Sequence, residues 1–129
     1  MSIILSICSI VIAEDKNIGF LMNQKYVCIN IGALVNNKLQ PIISREEALK
    51  YPIRIKIDKW NKLQTDGPIK NLDYVKKDAS VTIYENNKTQ IMLNVANNVR
   101  YMLLKNLNIK SMPAIIHECI ETDKWTIVK

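Results

Sequence analysis

The sequence predicts an α+β domain: a single antiparallel or mixed sheet of about six strands, a long helix over 89–107 packed on one face, and a short helix over 45–51. Three observations carry that expectation. Ile91, Met92, Val95, Val99, Met102, Leu103 and Leu107 recur at helical spacing. Residues 53–60 alternate apolar and polar side chains, as a half-buried strand does, and other short apolar runs are bounded by turn residues. Only three Gly and four Pro occur in 129 residues, so most of the chain is expected in regular elements.

Taken in order, residues 3–13 are Ile-rich and read as a first strand, and residues 20–31 as a second. Asn17-Ile18-Gly19 between them suits a three-residue hairpin loop, with Gly19 in the left-handed position. That register sets Cys8 opposite Cys28 as two packed thiols, although a cross-strand disulfide is conceivable. Asn36-Asn37-Lys38 reads as a turn. Ser44-Arg45-Glu46-Glu47 matches a capping box, with Ser44 as N-cap and Glu47 reaching back. Pro52 stops the helix that follows. Ile53, Ile55 and Ile57 alternate with Arg54, Lys56 and Asp58, which predicts a strand over 53–60 with one wet face. Residues 61–79 are polar, contain Asp66-Gly67-Pro68, and are expected as a long loop. Ser80–Tyr84 reads as a short strand, 89–107 as the long helix, and 114–121 with 125–128 as a closing hairpin around Thr122-Asp123-Lys124.

The length fits one domain, 1–129, with no internal repeat and no Gly/Ser-rich linker. Cys8, Cys28 and Cys119 form an odd set without a C-x-x-C pair, so reduced thiols and a cytoplasmic location are expected. The apolar run Ser2–Ala13 ends Val-Ile-Ala, as a cleaved signal does, but no Lys or Arg precedes it, and a buried strand is the preferred reading. The run is too short to span a bilayer, and no membrane partner is expected. The stretch Ser9–Gly19 is similar to the first hairpin of several α/β enzymes; nothing downstream continues the likeness, and it implies no site residues.

Function is sought in charge placement. The formal net charge is +6, and the segment 50–77 alone carries eight cations against three acids, so nearly all the excess sits there. Arg54, Lys56, Lys59, Lys62 and Lys76 in that segment would attract phosphates, and Trp60 or Tyr74 would stack on bases. Since nearly all the cations are lysines, attraction to a backbone is favoured over base-specific recognition. The solvated-loop reading competes with this, because an AT-rich codon bias also raises Lys, Asn and Ile. The leading expectation is therefore a non-catalytic protein that captures nucleic acid or a nucleotide. The composition resembles that of small accessory proteins of phages or mobile elements. Alternatives are an inhibitor or adaptor bound to a host protein, and a nuclease-like toxin built on His117. His117, Cys119 and Glu121 would share one strand face, but a metal or nucleophilic site would need partners the sequence does not name. Asn94, Asn97, Asn98 and Tyr101 would form a polar stripe on the long helix. No phosphate-binding loop, G-x-G-x-x-G, H-E-x-x-H or G-x-S-x-G occurs, and no cofactor is expected. Exposed strand edges leave homo-oligomers open.

Overall fold

The computed structural model describes residues 19–122, which form a nearly closed antiparallel barrel. Its elements are β1 (Gln24–Val35), β2 (Lys38–Gln40), α1 (Arg45–Lys50), β3 (Ile53–Ile57), β4 (Leu63–Thr65), a 3-10 turn (Gly67–Ile69), β5 (Asp73–Asp78), β6 (Val81–Glu85), β7 (Thr89–Ala96), β8 (Val99–Asn106) and β9 (Ile115–Thr122). The strand order is β4-β3-β1-β9-β8-β7-β6-β5, with β2 pairing beside β1. Leu63 and Leu72 join the two ends: each N–H donates to the other's carbonyl, at 2.9 and 2.8 Å. Beyond that bridge β5 runs free, and all six of its residues are exposed.

This overturns the α+β expectation. The long helix expected over 89–107 is instead the hairpin of β7 and β8, which pair from Thr89↔Asn106 to Ala96↔Val99. Asn97 and Asn98 both have positive φ, 53° and 63°, and make the two-residue turn that this handedness of hairpin favours. Ile91, Leu93 and Met102 face the barrel interior, while Leu103 and Met92 face outward. An apolar set that happens to fit a helical stripe is thus split between two faces of a sheet. The Asn94–Tyr101 stripe goes with the helix: Asn94 and Tyr101 are cross-strand partners, and Asn97 and Asn98 are the turn.

The loop expected over 61–79 also gives way, to β4, the 3-10 turn and β5. Its residues are polar because β5 is exposed throughout, so no alternation marks it. Other local signals match. Ser44 Oγ accepts from Glu47 N at 3.2 Å and the helix it caps runs to Lys50, but the Glu47 carboxylate pairs with Lys50 at 3.3 Å, so only the Ser44 half of the capping box is formed among the described residues. Ile55 and Ile57 are buried on β3, as their alternation requires. The strand expected at 3–13, with its hairpin, and the one at 125–128 lie outside the described residues.

The barrel is filled by its own side chains. Tyr26, Ile55, Leu63, Ile91, Leu93 and Met102 are almost completely buried in one cluster. Cys28 and Cys119 belong to the same cluster and are register partners on β1 and β9, joined as a disulfide. The expectation of reduced, packed thiols at Cys28 and Cys8 is corrected here: antiparallel pairing places Cys119, distant by 91 residues in sequence, directly opposite Cys28. A bulge at Asn30/Gly32 shifts the register, so that Ala33 again points inward and β1 bends to meet β2.

Candidate functional site

The first described residues cross one end of the barrel. Phe20 packs against Tyr26 with ring centroids 4.9 Å apart and the ring planes tilted by 58°. The Tyr26 hydroxyl accepts from Leu21 N at 2.8 Å and donates to Gly19 O at 3.2 Å. Arg100 Nε donates to the same carbonyl at 2.8 Å, while its guanidinium lies 5.3 Å from the Tyr26 ring and pairs with Glu121 at 3.4 Å. Burial pushes the Tyr26 hydroxyl above its usual pKa, so it remains a neutral donor.

Between this crossing segment and the β5–β6 hairpin lies an open cleft of about 490 Å³. Phe20, Leu21, Leu93 and Val95 give it an apolar floor, and Ser80, Thr82 and Asn94 a polar rim. Lys77 is the one charged side chain among the described residues lining it. The register explains the grouping: Lys77 is opposite Thr82, and Thr82 is opposite Leu93. Ser80 Oγ donates to Asn94 Oδ1 at 3.0 Å, tying the hairpin tip to β7. The cleft size falls in the range of small-molecule sites.

A second cluster is built on the tight loop between β3 and β4. Buried Asp58 accepts from Trp60 N at 2.9 Å, Lys62 N at 3.0 Å and Gln64 Nε2 at 3.0 Å. The bond from Lys62 N, more than those from Trp60 N and Gln64, holds its carboxyl below the usual carboxylate range against the opposing effect of burial. The loop so fixed holds Trp60 out in solvent, 69% exposed, with Lys59 Nζ 4.6 Å from the ring centre. Asn61, at φ 59°, accepts from the Tyr84 hydroxyl at 2.6 Å, and Tyr84 meets Tyr74 edge-on at 5.9 Å. One chain of contacts therefore links the Trp60 loop to half-exposed Tyr74 on β5.

Lys59, Trp60, Lys62 and Tyr74 are thus gathered near one end of the barrel. Lys62 is 3.7 Å from Asp73, and Lys76, exposed on β5, is opposite Ile83. Arg54 and Lys56 are not part of this group. Arg54 pairs with Asp66 at 3.4 Å, both side chains mostly covered, and Lys56 faces Lys25 across β1 and β3. The cleft residues Lys77, Ser80 and Thr82 were not singled out by sequence reasoning. Lys77 was visible only as part of the charge run, since its cross-strand neighbours depend on the β5–β6–β7 register.

His117 and Cys119 do share a face, but it points into the core. The buried His117 Nδ1 has no hydrogen-bond partner among the described residues, and burial lowers the imidazole pKa against the opposing backbone contacts of Met102 and Ile115, which favours the neutral ring. Cys119 is in the disulfide, and Glu121 lies at the barrel end beside Arg100. No group of three or more metal-ligating side chains occurs among the described residues.

Tyr84 provides a pH test of this end of the molecule. Desolvation, then the neighbouring Tyr74 and Asp58, push its hydroxyl up to about 12 from the ordinary 10.0. The folded state holds this proton more tightly than the unfolded chain. Stability is therefore fully present below pH 10 and falls as pH rises toward the folded value. The expected loss across that window is about 3 kcal/mol. Urea midpoints at pH 9 and 11 should show about half of it, and Tyr84→Phe should flatten the alkaline fall while leaving the share due to Tyr26. An unchanged pH profile in Tyr84→Phe would show that Tyr84 is not the group responsible.

Comparison of the chain with protein-family models, curated proteins and solved structures finds no match.

Proposed function

We propose that this protein is a non-catalytic binding protein that captures an anionic ligand with an apolar or ring-bearing part at the open end of its barrel. The cleft carries the reading: an apolar floor, a polar rim and a single cation, Lys77, with no acid among its described lining residues. The separate Trp60 cluster, which does not line the cleft, adds the exposed ring faces of Trp60 and Tyr74 and the charge of Lys59, while Lys62 is offset by Asp73. Attraction, stacking and apolar contact supply the affinity, and no bond is made or broken. A buried, neutral His117 is poorly placed to act on a macromolecular substrate, which weighs against the nuclease-like alternative.

The ligand-size choice follows from salt dependence. A nucleic-acid ligand that covers several phosphates weakens steeply with salt, whereas a small anion with one charged group weakens little. Calorimetric titration with AMP, with the anionic dye anilinonaphthalene sulfonate and with a single-stranded oligonucleotide compares the two. The small anions should bind saturably with a shallow salt response, and Lys77→Gln should weaken them about threefold. If none of the three probes binds saturably, or if Lys77→Gln binds as tightly as the parent, the reading fails.

We infer further that the protein folds in an oxidising compartment. A buried disulfide between β1 and β9 supports this over the cytoplasmic expectation, since such bonds persist mainly outside the cytosol. The Val-Ile-Ala ending of the run at 2–13 is compatible with export.

A further inference from the structure

The barrel has an unexpected outer wall. In a barrel packed by its own interior, outward positions should be polar, yet Ile116, Leu103, Met92 and Ile83 form one outward row across β9, β8, β7 and β6. Two grooves meet on this row and share Leu103. One, of about 470 Å³, is lined by Leu34, Met92 and Leu103, with Met112 at its exposed margin. The other, of about 300 Å³, includes Ile31, Leu39 and Ile116.

Charge and protrusion then narrow the occupant. Lys105 and Lys110 are the charged residues lining the first groove, and none lines the second. Neither lysine, nor Lys38 at the adjoining turn, is in an ion pair among the described residues. Two acids stand one row from the apolar row: Glu118, opposite Tyr101, and Glu85, which is opposite Gln90 and accepts from its Nε2 at 2.6 Å rather than pairing with Lys105 on the same row. Two loop tips flank the groove and hold exposed apolar side chains: Val35 and Leu39 at the β1–β2 turn, Ile109 and Met112 in the β8–β9 connection. Exposed apolar patches of this kind mark interaction sites. Apolar groups on protruding tips, with unpaired lysines set among them, are what a membrane interface with anionic headgroups takes. A groove made for an acidic peptide would need the cations and the concave floor, but not the protruding apolar tips.

We propose that this face seats the protein peripherally on an anionic lipid bilayer, with the two tips entering the interface and Lys38, Lys105 and Lys110 against the headgroups. No helix among the described residues is long and apolar enough to cross a membrane, and none is required for such docking. The proposal departs from the expectation of no membrane partner, which considered spanning segments alone. The groove with the lysines shares no lining residue with the ligand cleft, the second groove meets the cleft at Asn94, and the proposal does not depend on the ligand reading.

The test is co-sedimentation of the full chain with phosphatidylcholine vesicles, with and without phosphatidylglycerol. Binding is expected with the anionic vesicles and not with the neutral ones. Lys105→Gln with Lys110→Gln should weaken it about thirtyfold, at about a kcal/mol per lysine. Val35→Ser with Met112→Ser should weaken it at unchanged charge. Lys25→Gln with Lys56→Gln, which removes the same charge from the wall of β1 and β3, should leave it nearly as tight. Thermal midpoints confirm that each variant is folded. Absence of binding to anionic vesicles overturns the proposal. So does equal weakening by both lysine pairs, which would mean adsorption through net charge, or indifference to the two serines. Binding of an acidic amphipathic peptide in place of vesicles would assign the groove to a protein partner and overturn it as well.

Discussion

Replacing Cys28 and Cys119 together by alanine is expected to lower the unfolding free energy by about 4–5 kcal/mol. The reasoning is topological. The bond joins residues 91 apart, close to the whole length of the described barrel, so it removes a large loop-closure entropy from the unfolded chain. It also ties the first strand to the last, and no local contact can substitute for that link. Both residues are buried, so truncation adds a packing loss. Urea unfolding with and without a strong reductant measures the effect, and the double variant should resemble the reduced parent. Peptide mapping without reductant should recover Cys28 joined to Cys119. Recovery of Cys28 joined to Cys8, or a urea midpoint indifferent to reductant, would defeat the prediction. Such a loss is a large fraction of the stability of a domain of this size.

Gly32→Ala should have a comparable effect for a different reason. Gly32 has φ +146°, a conformation that L side chains rarely adopt, and sits where the bulge turns β1 toward β2. A Cβ there would lie 2.5 Å from the Gln40 carbonyl oxygen and 2.9 Å from Leu39 Cδ1. The oxygen is backbone, so the clash is relieved only by moving β2 away. Backbone strain and overpacking together suggest a loss of about 3–5 kcal/mol. Gly67→Ala is the control. Gly67 also has positive φ, +81°, but nothing within 4 Å of the added carbon, so only the conformational cost of about 1–2 kcal/mol remains. Equal urea midpoints for Gly32→Ala and the parent would show that β2 does not press on this position.

The two elements that differ from expectation have different causes. A helical stripe and a hairpin can draw on the same residues when the strands are short. Over 89–107 the deciding signal was the turn, and it was present: Asn97-Asn98 repeats the dipeptide Asn36-Asn37, which does read as a turn and has the same positive φ at both positions. Weighing apolar periodicity above turn chemistry turned a hairpin into a helix. The exposed β5 had no signal of either kind, because its pairing with β6 is made by backbone groups whatever its side chains are.

The candidate site divides along the same line. Lys59, Trp60 and Lys62 are held together by a local loop around Asp58, so nearness in sequence was a fair guide to nearness in space. Arg54 and Lys56 lie a few residues away, yet strand alternation directs them along the outer wall toward Asp66 and Lys25. The cleft joins Phe20, Lys77, Thr82 and Leu93, which no local pattern connects.

By itself the sequence determined what short-range chemistry controls: the Ser44 cap, the stop at Pro52, the buried face of β3 and the concentration of positive charge in 50–77. Only the tertiary structure decided the barrel closure at Leu63 and Leu72, the partner of Cys28 and the setting of Lys77. Each of these is a pairing between distant strands. Backbone hydrogen bonds do not distinguish one partner strand from another, so the register emerges only when the whole sheet buries its inward faces at once.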